Sequence, residues 1–312
     1  GVNIPVNLAL AFHSDAGVPD STEVIGTLPI VSTKFNNGKF LNGSSRSLSI
    51  KLANCITDQV VADIKKAWNP NWSYRPLRDR TYYEARVPEV PTLLLEILSH
   101  QSFNDMKYGL DPRFKFSVSR SVYKGMLKFL AERENRKFVV QPLPVQSFAI
   151  TGENGSFKLH WRAQRDSLTA GGALPTKYLV QHRSQGNTWW EDLKETKHPE
   201  LDINVSDNKI HSYRVIAIND GGKSFPSEIL SLGVAKNSSG NVLVINGFDR
   251  VSGPECFDDN DKAGFAGRDI IGVPYLRDFS YTGAQIDFDK SHEYVSDEQT
   301  GFGWCRANYE TK

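Results

Sequence analysis

Two stretches of the chain carry unbroken apolar runs that end on an ionisable side chain: Asn7 to Gly17, NLALAFHSDAG, and Val90 to Asp105, VPTLLLEILSHQSFND. A continuous apolar run suits a sheet strand covered on both faces. His13 closes the first run and Glu96 follows Leu93-Leu94-Leu95 in the second. In open α/β sheets, sites form outside the carboxyl ends of strands. The pattern therefore predicts two neighbouring strands whose ends bring His13 and Glu96 together.

Between them, Ile25 to Ser32 and Lys39 to Leu41 flank the turn-like Asn36-Asn37-Gly38 and read as a hairpin beside the site. Apolar positions Leu48, Leu52, Cys55, Ile56, Val60, Ile64 and Trp68 recur at three- and four-residue steps, the stripe of an amphipathic helix. Ser44 or Ser45 would cap this helix and Pro70 would stop it. Cys55 lies on the stripe and reads as a small core residue rather than a nucleophile. Asn69 to Arg86 concentrates Trp72, Tyr74, Arg75, Arg78, Tyr82, Tyr83 and Arg86. Rings and guanidinium groups of this kind suit sugar faces and carboxylates, although a long loop packed on the surface would have the same composition. Ser102 or Asn104 opens a short helical turn, and Asp111-Pro112 starts a second helix, with Phe114, Val118, Val122, Leu127 and Leu130 on one face, running to about Glu134.

Gln141-Pro142-Leu143-Pro144 reads as a stiff linker, after which the period changes. From Val145 to about Val234, short alternating strands with Gly- and Asn-containing turns predict a β-sandwich, most clearly at Phe157–Trp161, Lys177–Arg183 and His211–Asn219. His160, His182, His198 and His211 have no mutual ligand spacing and read as structural or solvent-facing. Beyond Lys236-Asn237-Ser238-Ser239-Gly240, a polar joint, few strong elements remain.

Composition narrows the function classes. The 312 residues are 39% hydrophobic and 23% charged, which fits a globular chain of two or three domains. With 37 basic and 36 acidic side chains the formal charge is +1, giving no reason to expect nucleic acid or an anionic membrane as partner. No apolar run reaches the roughly 20 residues needed to span a bilayer. Cys55, Cys256 and Cys305 show neither zinc-knuckle nor redox spacing, and their odd number argues against a disulfide framework while leaving a Cys256–Cys305 bridge open.

The segment NLALAFHSDAG resembles the strand-plus-His segment of zinc-dependent N-acetylmuramoyl-L-alanine amidases. TYYEARVPEVPTLLLEILSHQSFNDMKYGLDPRF is similar to their later segment, in which an aromatic-rich piece with an Arg leads into a V-P-A-V-L-V-E strand and an N-x-x-D turn. The resemblance implies an α/β domain over 1–140 that cleaves the bond between the lactyl group of peptidoglycan and its stem peptide. It implies His13 as a zinc ligand, Glu96 as the catalytic acid–base and Arg86 as a substrate contact. The family's other two zinc ligands precede the His13 segment, and only twelve residues precede His13 here. The domain is therefore expected to lack its N-terminal part, with Gly1 a processing product, and to pair with that missing part or with another chain.

HSYRVIAINDGGKSFPSEIL resembles the late strand and following turn of a fibronectin type III domain, here 141–236, with Trp161 and Tyr213 as core aromatics. NGFDRVSGPE resembles the opening of a module found after such parts in xanthan-lyase-like bacterial proteins, which implies a truncated α/β region over 237–312. The expected fold is thus multidomain: an incomplete α/β domain, an all-β sandwich and a partial C-terminal region. The expected function is a zinc-dependent peptidoglycan amidase, secreted, periplasmic or at the bacterial cell surface. Two alternatives are a non-catalytic cell-wall or polysaccharide-binding protein on the same scaffold, and a polysaccharide-degrading enzyme acting through the C-terminal module.

Overall fold

The computed structural model describes residues 6–15, 24–100, 102–153, 155–237 and 239–245, together with four short strands beyond them. The chain divides into two compact units, Gly1–Arg133 with Asn246–Lys312, and Glu134–Ile245.

The first unit is built on a four-stranded mixed sheet of β1 (Ala9–Asp15), β2 (Leu28–Val31), β3 (Arg78–Asp79) and β4 (Thr92–Ser99), in the order β1-β4-β2-β3. The LLL run of β4 lies at the centre and is buried on both faces, as an uninterrupted apolar strand requires. β1 pairs with it in parallel, but as an edge strand it is covered only in part, and Phe12 is 52% exposed. β2 runs antiparallel to β4. The expected hairpin does not form. Leu28–Val31 is taken up by β4, and Asn36 and Asn37 adopt positive φ inside a short turn (Phe35–Gly38), after which Lys39 bridges Ser45 rather than returning to β2. The strand partner that the local pattern suggested lost to a longer-range one with a larger apolar face.

Helix α1 (Leu48–Ala67) follows the predicted stripe, with Leu52, Cys55, Ile56, Val60 and Ile64 buried. Its N-cap is Ser47, whose side chain makes no capping hydrogen bond, rather than Ser44 or Ser45. Burial pushes the Cys55 thiol above its ordinary range, consistent with a core residue. Two further helices are α3 (Phe103–Gly109), capped by the Ser102 hydroxyl accepting from Asp105 N, and α4 (Pro112–Arg133). A one-turn helix, α2 (Tyr83–Arg86), precedes β4. Leu93, Leu95 and Ile97 point to one side of the sheet and join α1 and α4 in the main core, whereas Leu28, Ile30, Leu94 and Ala11 form a smaller cluster. Trp72 is part of the main core, donating its indole N–H to Thr27 Oγ1 at 2.9 Å, so it is not available to a sugar face.

The two long helices meet at Gly125. A methyl group there would stand 2.5 Å from Ile56 Cα and 2.8 Å from the Cys55 carbonyl oxygen. Gly125→Ala gains about 1 kcal/mol of helix propensity. Because the obstacle is backbone that cannot yield, overpacking at the upper end of the ~1–3 kcal/mol range outweighs it. The expected result is a lowered urea midpoint for this unit with helicity retained.

The second unit is a two-sheet antiparallel sandwich. One sheet is β5 (Gln146–Glu153), β6 (Ser156–Arg162) and β9 (Glu200–Asn204). The other orders β11 (Gly222–Lys223), β10 (Ile210–Asn219), β7 (Lys177–Ser184) and β8 (Glu191–Thr196), with β12 (Leu230–Gly233) also on β10. Trp161, Tyr178 and Tyr213 sit between the sheets, with Trp161 edge-on to Tyr178 at 5.3 Å. Pro226 prevents β11 and β12 from forming one strand, and the hydroxyls of Ser224 and Ser227 accept the Ala217 and Val215 N–H groups across the break. Val140 and Leu143 are buried and Asn219 Nδ2 donates to Val140 O, so Gln141–Pro144 belongs to the packed sandwich and is not a free linker.

Beyond residue 245 the strands Cys256–Asp258, Lys262–Phe265, Asp287–Asp289 and Ala307–Asn308 pair antiparallel in sequence order. The rest of the expected C-terminal module and the Cys256–Cys305 pairing lie outside the described residues.

Candidate functional site

The register of β1 on β4 sets His13 directly opposite Glu96. Because side chains alternate along a strand, His13 and Glu96 share the side of the sheet that carries Ala11 and Leu94. α2 lies against β4 and β2, and beside it is an open pocket of about 350 Å³ lined by His13, Tyr82, Tyr83, Glu84, Leu94 and Glu96. The site therefore opens on a face of the sheet toward the strand ends, not wholly outside them. α2, which the sequence pattern did not show, supplies one wall of this open pocket.

Glu96 is half-buried and its Oε2 has no hydrogen-bond donor. Desolvation pushes its carboxyl above the ordinary range, as does the charge of Asp15, while His13 and Arg75 oppose the rise and Glu84 adds to it. A carboxyl poised this way can hold a proton nearer neutrality than a surface glutamate can. His13 Nε2 lies 2.8 Å from Glu84 Oε2, with both side chains partly exposed.

Neighbouring charges fix the frame. Arg75 Nη1 donates to Asp15 Oδ2 at 2.6 Å and Nη2 to the Gly26 carbonyl at 3.1 Å, tying the end of β1 to the segment before β2. Asp105 is fully buried and accepts the backbone N–H groups of Ile25, Gly26 and Ser99 at 2.8–3.1 Å, joining three segments at the base of the site. Burial pushes its carboxyl up, and those three donors pull against it. Asp105→Ala strands three buried backbone donors at about 1–3 kcal/mol each before relaxation. The expected outcome is loss of cooperative melting of the first unit, measured by near-ultraviolet circular dichroism.

The arrangement brings His13 and Glu96 together. Arg86 lies elsewhere: its guanidinium stands 5.3 Å from the ring centres of Phe35 and Tyr83 and does not line the cavity. It holds Tyr83, which does line it. Glu84 escaped sequence reading because a one-turn helix has no periodicity to betray it, and the pairing of Arg75 with Asp15 because an ion pair 60 residues apart leaves no local signal. Ser102-Phe103-Asn104-Asp105 has serine where the N-x-x-D turn has asparagine, and the sequence reading did not single out Asp105.

The resemblance implies a zinc site whose other ligands precede His13, and the described residues do not complete one. His13 Nε2 faces Glu84, and among the described residues no group of three or more His, Cys, Asp or Glu side chains is placed to hold a metal ion. Among them, too, no helix is long and apolar enough to cross a membrane.

No protein-family model matches the chain, and no curated protein does. Solved structures do. A human FNIII domain is 27% identical over 32% of this chain and 87% of that one, with a TM-score of 0.27. A titin structure is 24% identical over 30% of this chain and 32% of that one, at 0.26, and the twitchin kinase region from C. elegans is 22% identical over 31% and 17%, at 0.27. The chain thus spans a third or less of the titin and twitchin structures. By its own strand order, three strands facing a sheet built on β10 and β7, the second unit is a fibronectin type III-like sandwich.

Proposed function

We propose that the first unit is an amide hydrolase of the cell-wall amidase type, cleaving the bond between N-acetylmuramic acid and L-alanine in peptidoglycan, with Glu96 as the acid–base group. The observation that supports this most is the pairing of His13 and Glu96 on adjacent strands in an open pocket, with a Glu96 carboxyl raised by desolvation. Glu96 takes a proton from the attacking water as the new C–O bond forms and delivers it to the departing alanine nitrogen as the C–N bond breaks. Tyr82 and Tyr83 offer ring faces to a sugar or stem peptide at the mouth. On this reading the protein works outside the cytoplasm, where peptidoglycan lies, and the sandwich acts as a spacer.

A second reading is a cell-wall or polysaccharide-binding protein that retains this scaffold without turnover. It is favoured by the engagement of His13 Nε2 with Glu84 and by the exposure of Tyr82 and Tyr83. The test is release of free peptide amine from an N-acetylmuramoyl-L-alanyl peptide by the full chain, with and without added zinc. Release supports the hydrolase in either condition. Saturable binding with no release in both supports the second reading.

A further inference from the structure

A second cluster of titratable side chains lies within the sandwich of the second unit. Along β7, Tyr178 and Val180 point into the core and His182 follows in the same row, while along β10 Ala217, Val215 and Tyr213 point inward and His211 follows. The two histidines thus extend the inner face to one end of the sandwich. His182 Nε2 and His211 Nδ1 are 2.8 Å apart, with ring centres at 5.1 Å and planes within 17°. These values set the nitrogens close to the line joining the centres, so the rings meet edge to edge through a hydrogen bond. His211 Nε2 in turn lies 2.7 Å from Asp207 Oδ1, which also accepts Lys209 N at 3.2 Å.

The chain of contacts fixes the proton count. An ionised carboxylate only accepts, so His211 Nε2 carries a proton, and in the neutral pair His211 Nδ1 accepts from His182 Nε2–H. One added proton leaves a single N–H between the rings. A second puts N–H against N–H between two half-buried cations, and the contact must open. The charged and titratable groups around the pair are Glu191, opposite His182 on β8, Asp207 on the turn, and Tyr213 beside His182. The hydroxyl of Tyr213 is pushed up to about 12, chiefly by burial, and remains neutral. Arg183 and Arg214 point to the other side of the sheet, over Trp190.

The same turn holds the chain where it leaves the sandwich. Asn208, at φ 61°, accepts the Lys236 N–H on its Oδ1 at 2.7 Å, just after β12 ends at Gly233. We propose that Asp207, His211 and His182 form a proton-operated latch: protonation of both histidines breaks their contact, loosens the turn at 205–209 and releases the chain at Lys236. Burial and His211 both hold His182 below its ordinary range. The latch stability is therefore complete above the unfolded histidine value of about 6.5 and is lost as pH falls from there toward the lower folded value.

The test is hydrogen exchange on the full chain between pH 7.5 and 5.0, corrected for intrinsic rates, in wild type, His182→Gln and His211→Gln. The expected result is that wild-type protection at 205–209 and Lys236 falls about tenfold or more, the scale of losing a hydrogen bond to a charged group, while the centre of β10 stays protected. In His182→Gln the fall should be less than about twofold. Equal pH dependence in wild type and His182→Gln overturns the latch, as does constant wild-type protection. Should both variants unfold, imidazole nitrogen spectra of the wild type decide. A His182 titration step below the ordinary histidine range supports the latch, and an ordinary step contradicts it.

Discussion

Replacing Asp63 by alanine is expected to destabilise the first unit by about 3–5 kcal/mol. Asp63 Oδ2 lies 2.6 Å from Lys124 Nζ and accepts the Ser121 hydroxyl at 2.6 Å, while Oδ1 accepts Gln59 Nε2 at 3.0 Å. Both charged side chains are buried, at 2% and 6% exposure, in the seam between α1 and α4. The intact pair contributes little net stability, because taking two charges out of water cancels most of their attraction. Removing one partner is different, since the Lys124 ammonium stays in the seam without this carboxylate. The double variant Asp63→Leu, Lys124→Met should recover most of the loss. Urea unfolding followed by tryptophan emission checks both, and a loss below about 1 kcal/mol, the scale of an exposed pair, would show the seam to be wet.

Glu96→Gln is expected to separate activity from stability. Removal of a general acid–base typically costs 10²–10⁴-fold in rate, so hydrolysis by this variant should fall by about that factor. Stability should move the other way. The folded carboxyl titrates above its unfolded value, so the folded state binds the proton more readily. Stability therefore falls as pH rises from the unfolded glutamate value near 4.3 through the folded one, and the ionised form carries a penalty above that window. Glutamine has no such penalty. The variant should melt at or above wild type at pH 7.5, with the difference gone below about pH 4. A variant that melts lower throughout would mark Glu96 as a structural partner, as its position within the buried strand β4 otherwise allows.

How much of this was legible in the sequence depended on the range of each interaction. The α1 stripe from Leu48 to Ile64, the opening of α4 at Pro112 and the inward rows of the sandwich were readable because the signal lies within one element. The juxtaposition of His13 and Glu96 was readable because each follows an apolar run that forms a strand, although the strands continue past them to Asp15 and Ser99. Features set by partners far away were not. Val31 belongs to a strand beside β4 instead of a hairpin, and Arg75, in a run that suggested sugar recognition, is spent on Asp15. The buried charges Asp63 and Lys124 were hidden because each looks like a solvent-facing break in a helix until the two helices are packed together. Histidine spacing in sequence likewise gave no hint of the His182–His211 contact, which depends on a cross-strand diagonal between β7 and β10.

The central claim is that the pocket beside α2 hydrolyses a muramoyl amide through Glu96. The most direct measurement incubates the full chain with an N-acetylmuramoyl-L-alanyl peptide in heavy-oxygen water and weighs the products. The account requires one heavy oxygen in the lactyl carboxyl of the released muramic acid, a free alanine amine on the peptide, and neither product above background with Glu96→Gln. Intact substrate after prolonged incubation with wild type, or equal labelling by wild type and Glu96→Gln, would contradict it.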